Sequence, residues 1–430
     1  MGFVGKRLPE ILVFSSSFAV LLCFAFRSPV WYDDSCHYLA VKSLSETGIE
    51  AFGGNPFSTF VTVGPAVNYP CSWFMKTLGI SMLHARLFMI FYAILALIGI
   101  YFLTINVYND SRNAKTIAVW AVGLTAFTIQ FSVYGSQVLG EVPAMAWMAF
   151  GMISMDKRPV FAGICFGLSG LCKEYVAAPL LALLLYHAYK ISWKKAVMAG
   201  NIAFVVVALY YVYRFGNAEN IASYWAEKVD YRSEFLALSF TESLRFLLSK
   251  PLVVLGTVAL IYRSPGNILV FQLALIILFL MSAGYDRFGL WLVPGAAIGI
   301  APYMRYFISE KRIIISTTLL IAFVQTTPYK LVKYMFEEPN TDEKKIAEWA
   351  GNKRLFTYEL PLAIFCENVK LPSYPPAVSH LEPAPKISKN EYFVSGPYSH
   401  TEYKNYSVPG NWLLVYRLGI YQVYTLNDAI

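Results

Sequence analysis

Two adjacent aspartates occur in the sequence WYDDSCHY, a few residues after an apolar stretch. Carboxylates such as Asp33 and Asp34 can take a proton from a hydroxyl group or orient a polar substrate. His37 and Tyr38 follow as candidates for contacts with substrate, although His37 could instead contact a divalent ion or be a polar residue of a membrane interface. The alternative for the aspartates is structural, because acidic residues at the start of a helix satisfy free N–H groups and favour its dipole.

A third carboxylate, Glu141, stands in YGSQVLGEVPA between two apolar stretches. A charged group at a membrane boundary is costly unless it has a partner or water. Glu141 is therefore either a residue that contacts substrate or a solvated turn residue that caps the next helix.

Two cations stand at the ends of other apolar stretches, Lys173 in GLCKEYV and Arg287 in GYDRFGLW. Lysine can meet a lipid phosphate as a point charge, and arginine can bind phosphate oxygens through two N–H bonds at once. The alternatives are a snorkelling Lys173 paired with Glu174, and an Arg287 that pairs with Asp286 or anchors at the interface.

Several other kinds of site are not indicated by the sequence. The five His are dispersed without an HExxH motif, and the six Cys form no CxxC pair. No Walker loop and no dinucleotide glycine fingerprint occurs. Zinc, cysteine redox and nucleotide sites are therefore not predicted. Cys36 and Cys71 could form a disulfide or remain lone thiols.

The composition is that of a membrane protein. The 430 residues are 57% hydrophobic and only 14% charged, whereas a soluble domain has about 25% charged residues. The mean hydropathy is +0.49. We attribute the formal charge of +8 to cytoplasmic loops, and no feature points to nucleic acid.

Apolar runs predict an α-helical polytopic membrane protein with about eleven transmembrane helices. The first run is long for a signal-peptide core and lacks a clear cleavage site, which favours a retained signal anchor. The predicted spans are Leu8–Phe26, Leu87–Ile105, Thr116–Val133, Val142–Met155, Val160–Leu171, Tyr175–Tyr189, Ala196–Tyr213, Pro251–Tyr262, Ile268–Ala283, Phe288–Tyr303 and Ile313–Val324.

Clusters of Lys and Arg predict the orientation, because short cytoplasmic loops are rich in both. The clusters fall in alternate connections and place the N-terminus in the cytoplasm and the C-terminus outside. We therefore expect an integral multi-pass protein of the plasma membrane. The clusters are Lys6 with Arg7, Arg112 with Lys115, Lys157 with Arg158, Lys190 with Lys194 and Lys195, and Arg305 with Lys311 and Arg312.

This topology predicts a transmembrane domain over residues 1–328, with a first extracytoplasmic loop over 27–86, and a small extracytoplasmic α/β domain over 329–430. In that domain EKKIAEWAGNK predicts a short helix, RLFTYE a strand, and NWLLVYRLGIYQVYTL a hairpin that turns near Leu418-Gly419. In the first loop, Ser35–Glu46 predicts a helix that lies along the interface with one face in lipid.

The first loop also carries a resemblance to a known family. After the acid pair it continues with FVTVGPAVNYPCSWFMKTLGISMLHAR and ends at Arg86, just before the second span. The order of these features resembles the first extracytoplasmic loop of GT-C glycosyltransferases, above all the protein O-mannosyltransferase and lipid A aminoarabinose transferase group. The features are the acid pair, the Gly-Pro…Pro stretch, the small helix and the arginine. That group carries an Asp-Glu or related pair. Here the second acid is Asp34, and we favour Asp33 as the match to its key position.

Three further positions are similar to motifs of the same group, which extend the resemblance over roughly residues 1 to 310. Glu141 stands where a second acid often lies, Lys173 falls in a segment like its Gly-Leu…Lys, and Arg287 falls in one like its Arg-Tyr…Pro. The resemblance implies a GT-C-type fold and inverting transfer of a sugar from a polyprenyl phosphate to a hydroxyl group of a lipid, glycan or protein at the extracytoplasmic surface.

The resemblance also implies roles for the site residues. Asp33 would be the base that accepts the proton of the acceptor hydroxyl. Lys173 and Arg287 would stabilise the departing lipid phosphate. Glu141 and Asp34 would orient the acceptor, or hold a divalent cation, although no cofactor is required.

Two other functions compete with this hypothesis. A transporter or lipid flippase often has repeated halves and charges near the midplane of the membrane, whereas here the acids are predicted in outside loops and no repeat is visible. A non-catalytic scaffold that presents the C-terminal domain would leave the acids of the first loop unexplained.

Overall fold

The computed structural model describes residues 8–53, 61–235, 240–263, 266–281, 286–304, 332–334, 336–371, 387–388, 390–397 and 411–426. The chain divides into two compact units. The helical unit comprises Met1–Phe26, Val63–Pro70 and Arg86–Phe336, and the mixed unit comprises Arg27–Thr62, Cys71–Ala85 and Glu337–Ile430.

The described helices follow the apolar runs of the sequence closely. They are α1 (Leu8–Arg27), α2 (Tyr32–Thr47), α3 (Pro65–Leu78), α4 (Met82–Val107), α5 (Ala114–Ala126), α6 (Ile129–Tyr134), α7 (Glu141–Ser154), α8 (Pro159–Cys172), α9 (Ala177–His187), α10 (Trp193–Phe215), α11 (Ala218–Phe235), α12 (Phe240–Leu248), α13 (Pro251–Arg263), α14 (Asn267–Leu280), α15 (Asp286–Gly289), α16 (Leu292–Met304), α17 (Thr341–Ala350) and α18 (Leu362–Phe365).

The predicted helical membrane fold is confirmed for the residues that the structure describes. Each of the first ten predicted spans falls on described helices, and the eleventh, Ile313–Val324, lies outside the described residues. Three helical stretches are long and apolar enough to cross a membrane by themselves, namely Leu8–Arg27, Met82–Val107 and Glu174–Phe215. Five shorter apolar helices accompany them.

The longest of these stretches contains a break between the sixth and seventh predicted spans. Helical residues run with little interruption over the 42 residues from Glu174 to Phe215. At Ser192, however, the backbone is extended, with φ −161° and ψ 111°. The hydroxyl of Ser192 accepts a hydrogen bond from the N–H of Lys195, so that α10 begins with a capped turn. Serine is favoured at this position because its oxygen satisfies a free N–H group.

Glycines allow the helices of the helical unit to approach closely. Gly163 and Gly167 of α8 lie against α10, where an added Cβ would come within 2.6 Å of the Ala199 carbonyl and 2.7 Å of Val206. The opposite side of α10 is apolar and open, with Phe204 72% exposed. An outward apolar face of this kind is expected where a helix borders lipid.

A second close contact joins α13 and α16. Leu252, Val293 and Ala296 form a buried cluster with Leu124 of α5. Gly256 faces the Ala296 backbone, and a Cβ at Gly256 would lie 2.2 Å from the Ala296 carbonyl oxygen. The two helices can therefore pack at this distance only with glycine at position 256.

The mixed unit contains a five-stranded sheet of order β2-β1-β3-β5-β4. The strands β1, β2 and β3 are parallel, β5 pairs antiparallel with both β3 and β4, and α17 packs on the sheet through Ile346. The predicted strand and hairpin are confirmed, with the hairpin turning at Gly419, whose φ is +55°. The strands are β1 (Arg354–Thr357), β2 (Val369–Lys370), β3 (Glu391–Ser395), β4 (Trp412–Leu418) and β5 (Tyr421–Leu426).

The predicted helix of the first loop is present as α2, but its surroundings differ from the expectation. Of the four residues expected to face lipid, Tyr38, Val41 and Leu44 are buried within the protein, and Leu39 is partly buried. Tyr32 and Cys36 of the same helix form a core with Leu360, which follows β1. The apolar face of α2 is therefore covered by protein, because the hydrophobic period of a helix is the same whether protein or lipid covers it.

We expect Gly256→Ala to lower the free energy of unfolding by about 1–3 kcal/mol, because the added methyl group meets backbone atoms that cannot move aside. Thermal melting in detergent micelles measures the effect. Gly200→Ala is the matched control, since its Cβ would meet only a side-chain methyl of Leu184 at 3.4 Å. Equal melting temperatures for the two variants would contradict the proposed close packing.

Candidate functional site

Lys173 ends α8, and two glycines fix its position. The backbone of Lys173 is extended, with φ −156° and ψ 117°, which terminates the helix. The N–H of Gly64 donates a hydrogen bond of 3.1 Å to the carbonyl oxygen of Cys172. Gly140 packs on the same carbonyl, at which an added Cβ would lie 2.3 Å away. The last turn of α8 is thus held from two sides directly before Lys173.

The side chain of Lys173 is buried and forms an ion pair with Glu141. Its Nζ lies 3.2 Å from Oε1 of Glu141, and both side chains are fully buried. Glu141 is the first residue of α7, where the helix dipole favours a negative charge. The sequence offered Glu174 as a partner of Lys173, and the structure adds Glu141, which is distant in the chain.

Arg287, on the short helix α15, approaches the same carboxylate oxygen. Its Nε lies 3.9 Å from Oε1 of Glu141, and its side chain is 18% exposed. Glu141, Lys173 and Arg287 together are called the charge cluster below. In the charge cluster two cations meet at one carboxylate oxygen. Lysine and arginine are the side chains that bind phosphate oxygens, so the charge cluster is suited to binding an anion of this kind.

Aromatic rings surround the cations of the charge cluster. The Nζ of Lys173 lies 5.7 Å from the centroid of the Tyr175 ring, and the Arg287 guanidinium lies 5.0 Å from that of Phe288. The two rings meet edge to face at 4.8 Å. Cations over aromatic faces are stabilised by the ring quadrupole, which helps to hold both positive groups where little water reaches them.

An apolar groove begins at these two rings. Trp291 also lines it, and its indole N–H is buried with no hydrogen-bond acceptor among the described residues. A buried donor without an acceptor is uncommon and is often satisfied by a ligand. The groove is lined by Tyr175, Val176, Leu275, Leu278, Phe279, Phe288 and Trp291.

Among the other buried polar atoms of the helical unit that lack hydrogen bonds within the described part of the chain are Oε2 of Glu141 and Nε2 of Gln137. Gln137 stands in the turn before α7. One is an acceptor and the other a donor, as a polar ligand with hydroxyl groups would require. The sequence analysis did not single out Gln137, Trp291, Gly64 or Gly140, because their roles depend on neighbours that are distant in the chain.

The aspartate pair lies in the mixed unit, in the first turn of α2. The N-cap residue is Trp31, which makes no side-chain capping hydrogen bond. Asp33 and Asp34 are therefore inside the helix, where they can favour its dipole but do not occupy the capping position. Asp34 is fully buried and Asp33 is partly exposed, so only Asp33 presents part of its surface to solvent or ligand.

His37 and Tyr38 follow on the same helix and are buried. The Nε2 of His37 lies 3.4 Å from the hydroxyl of Thr62. Burial raises the pKa of Tyr38 to about 12, with smaller contributions from Glu46 and Cys71. Tyr38 therefore remains protonated at physiological pH and can act as a hydrogen-bond donor.

The cysteines of the mixed unit do not form a disulfide, although Cys36 and Cys71 were candidates for one. Both are free thiols. Burial raises the pKa of Cys71 to about 12, so this thiol stays protonated and unreactive at neutral pH. Across the described residues, no group of three or more His, Cys, Asp and Glu side chains is placed to hold a metal ion.

We expect Lys173→Met to lower the free energy of unfolding by about 3–5 kcal/mol, because it leaves a buried carboxylate without its closer cation. Denaturant titration in micelles measures the loss. The double variant Glu141→Gln with Lys173→Met should recover a large part of it, since the two changes act on one ion pair.

The matched control for this cycle is Lys42→Met, which breaks an exposed pair with Glu46 at 3.8 Å. Exposed pairs contribute at most about 1 kcal/mol. Additive effects of the Glu141 and Lys173 substitutions would show that the buried ion pair does not form.

The fold of the chain is similar to that of two proteins of known structure. ArnT from Cupriavidus metallidurans, bound to undecaprenyl phosphate, superimposes with a TM-score of 0.69 at 12% identity and covers 100% of this chain and 99% of that one. The oligosaccharyltransferase of Archaeoglobus fulgidus in its apo form gives 0.62 at 13% identity, over 94% of this chain and 71% of that one. A complex of the archaeal oligosaccharyltransferase AglB with an inhibitory peptide and a dolichol-phosphate gives 0.59 at 14% identity.

No protein-family model matches the sequence, and no curated protein matches it. The relation is therefore one of fold, and it confirms the fold that the resemblance predicted. The chain shares its fold with ArnT and with the archaeal oligosaccharyltransferase.

Proposed function

We propose that this protein is a membrane glycosyltransferase that moves a sugar from a polyprenyl phosphate to a hydroxyl acceptor. The observation that carries the proposal is the charge cluster, in which Lys173 and Arg287 lie next to each other at the start of an apolar groove. A lipid phosphate has the matching form, since it joins one anionic group to an apolar chain. In the same fold, one known structure holds undecaprenyl phosphate and another a dolichol-phosphate.

Lys173 and Arg287 bind the phosphate of the donor in this proposal. Negative charge grows on the phosphate as the bond to the sugar breaks, and fixed cations in a site with little water stabilise that charge. Both side chains are held in place before the substrate arrives, Lys173 by its burial and Arg287 by contact with Phe288. Preorganisation of this kind avoids the cost of arranging the cations during the reaction.

The apolar groove receives the first isoprene units of the lipid. Its wall consists of leucine, valine and aromatic side chains, whose contact with hydrocarbon is favourable by roughly 25 cal/mol per Å² of apolar surface removed from water. The N–H of Trp291 is the buried donor in this wall. We assign it to an oxygen at the junction of the phosphate and the lipid chain.

Asp33 is the base of the proposed reaction. It accepts the proton of the acceptor hydroxyl as the oxygen attacks the anomeric carbon, and the bond from that carbon to the phosphate oxygen breaks with its electron pair on the phosphate. Its partial exposure supports this choice over Asp34, which is fully buried. Asp34, His37 and Tyr38 are buried on the same helix and position Asp33.

Two polar atoms of the helical unit are also suited to contact sugar hydroxyl groups. Oε2 of Glu141 can accept and Nε2 of Gln137 can donate a hydrogen bond, and both lack hydrogen bonds in the described part of the chain.

We further propose that the reaction takes place on the extracytoplasmic face of the plasma membrane, with the N-terminus in the cytoplasm, because the sequence has its clusters of Lys and Arg in alternate predicted loops.

We expect Asp33→Asn to lower kcat by roughly 10²- to 10⁴-fold with a small change in the KM of the donor, because general-base catalysis contributes this much to the rate. Transfer of radiolabelled sugar from a panel of synthetic polyprenyl phosphates by the purified protein in nanodiscs measures both values. Asp110→Asn, at an exposed turn after α4, is the control and should leave the rate unchanged.

Asp34→Asn belongs in the same series, because the two aspartates are adjacent. A selective loss in this variant alone would move the role of base to Asp34. Full activity in both variants would remove the acid pair from the mechanism, while transfer itself would still support the glycosyltransferase.

We expect the product to have the anomeric configuration opposite to that of the donor, since one displacement by the acceptor oxygen inverts the anomeric carbon. Proton NMR of the purified product gives the anomeric coupling constant. A retained configuration would require a covalent intermediate and would overturn the role of Asp33 as base.

A further inference from the structure

We propose that Asn340, the residue before α17, is a positioning residue that holds Asp33 in place for the reaction. This inference rests on the proposed function, in which Asp33 is the base. Asn340 acts through the backbone of Val30, which comes shortly before Asp33 in the chain, and not through contact with a reacting atom. The C-terminal part of the chain thereby takes part in catalysis.

The side chain of Asn340 binds the backbone directly ahead of α2. The N–H of Val30 donates a hydrogen bond of 2.8 Å to Oδ1 of Asn340, although the two residues are 310 positions apart. Nδ2 of Asn340 donates a weaker bond of 3.5 Å to the carbonyl oxygen of Val30. Both residues belong to the mixed unit. A single amide side chain therefore binds both polar groups of one backbone residue.

Asn340 makes this contact in place of interactions with its own helix. It is the N-cap residue of α17, where asparagine usually accepts a hydrogen bond from an N–H of the first turn. Here its side chain makes no capping hydrogen bond, and its backbone is left-handed, with φ +54° and ψ 38°. This conformation costs free energy, although asparagine tolerates it better than most residues. The contact with Val30 accounts for Asn340 better than the needs of α17 do.

The contact affects Asp33 because Val30 leads directly into α2. The N-cap residue of α2 is Trp31, which makes no side-chain capping hydrogen bond, and Asp33 lies in the first turn of the helix. The ends of helices fray readily when no side chain caps them. The bonds from Asn340 to Val30 are therefore suited to hold the first turn, and with it the carboxylate of Asp33.

A second contact fixes the rotation of α2. Tyr32 and Cys36, one turn apart on the helix, pack in a buried core with Leu360. Asp33 is the neighbour of Tyr32 in the chain, so this core sets the direction of its side chain around the helix axis. Asn340 sets where the helix begins along that axis. Together the two contacts define the position of Asp33 in the mixed unit.

The test separates the side chain of Asn340 from its backbone conformation. Asn340→Gly removes both hydrogen bonds to Val30 and keeps the positive φ, which glycine adopts freely. Asn340→Asp keeps an oxygen that can accept the shorter bond. The matched control is Asn390→Gly, because Asn390 is the other non-glycine residue of the described chain with a positive φ, at +74°, and is exposed in the turn before β3.

Transfer of radiolabelled sugar in nanodiscs is measured for each variant in the native protein and in Asp33→Asn. We expect Asn340→Gly to lower kcat by roughly 10- to 100-fold with less than about a threefold change in the KM of the donor, because a small displacement of a catalytic group costs this much. Asn340→Asp should recover kcat to within about fivefold of native, and Asn390→Gly should leave it unchanged. In Asp33→Asn, Asn340→Gly should lower kcat by less than about threefold, since no base remains to be positioned.

A merely structural role of Asn340 gives a different result. Partial unfolding would lower kcat by the same factor in the native protein and in Asp33→Asn. Equal losses in the two, or full activity of Asn340→Gly, would overturn the inference and leave the glycosyltransferase in place. Full activity of Asp33→Asn would overturn the inference together with the assignment of the base. If the native protein transfers no sugar from any polyprenyl phosphate of the panel, the proposed function itself is wrong, and the inference is wrong with it.

Discussion

The ion pair between Glu141 and Lys173 is the interaction on which the helical unit's site depends. Two fully buried charges 3.2 Å apart are tolerated only when each neutralises the other, because removal of either leaves a charge in surroundings that solvate it poorly. The pair therefore requires α7 to begin where α8 ends. The hydrogen bond from Gly64 to Cys172 and the close contact of Gly140 meet this requirement, and neither glycine has room for a side chain.

The rest of the site follows from this constraint. Arg287 approaches the same carboxylate oxygen as Lys173, so that two cations lie next to each other. Tyr175 and Phe288 lie next to the cations and also line an apolar groove. The cations therefore lie at one end of a groove whose side chains favour contact with hydrocarbon. A group that is anionic at one end and apolar along its length satisfies both parts, and a polyprenyl phosphate is such a group.

The sequence predicted those parts of the protein that depend on local pattern. Apolar runs locate the helices within a few residues, and alternating strands locate β1 and the hairpin at Gly419. The same sequence placed the apolar face of α2 in lipid, whereas Tyr38 and Leu44 are buried in protein. Periodicity shows that a face is apolar but does not show what covers it.

The sequence predicted which charged residues belong to the candidate site but not which of them form ion pairs with one another. Glu141, Lys173 and Arg287 were recognised because charges at the ends of apolar segments are costly. Their convergence depends on contacts between distant segments, which one sequence does not reveal. Gly64 and Gln137 were missed for the same reason, since a glycine in a loop and a glutamine in a turn are ordinary residues until their neighbours are known.

The most direct test of this account is an experimental structure of the protein in nanodiscs with a bound polyprenyl phosphate. The account predicts the phosphate within hydrogen-bonding distance of Nζ of Lys173 and of the Arg287 guanidinium, with the first isoprene units against Phe288 and Trp291. A phosphate bound elsewhere in the protein, with no atom of the lipid in contact with Lys173 or Arg287, would contradict the assignment of the charge cluster as the donor site.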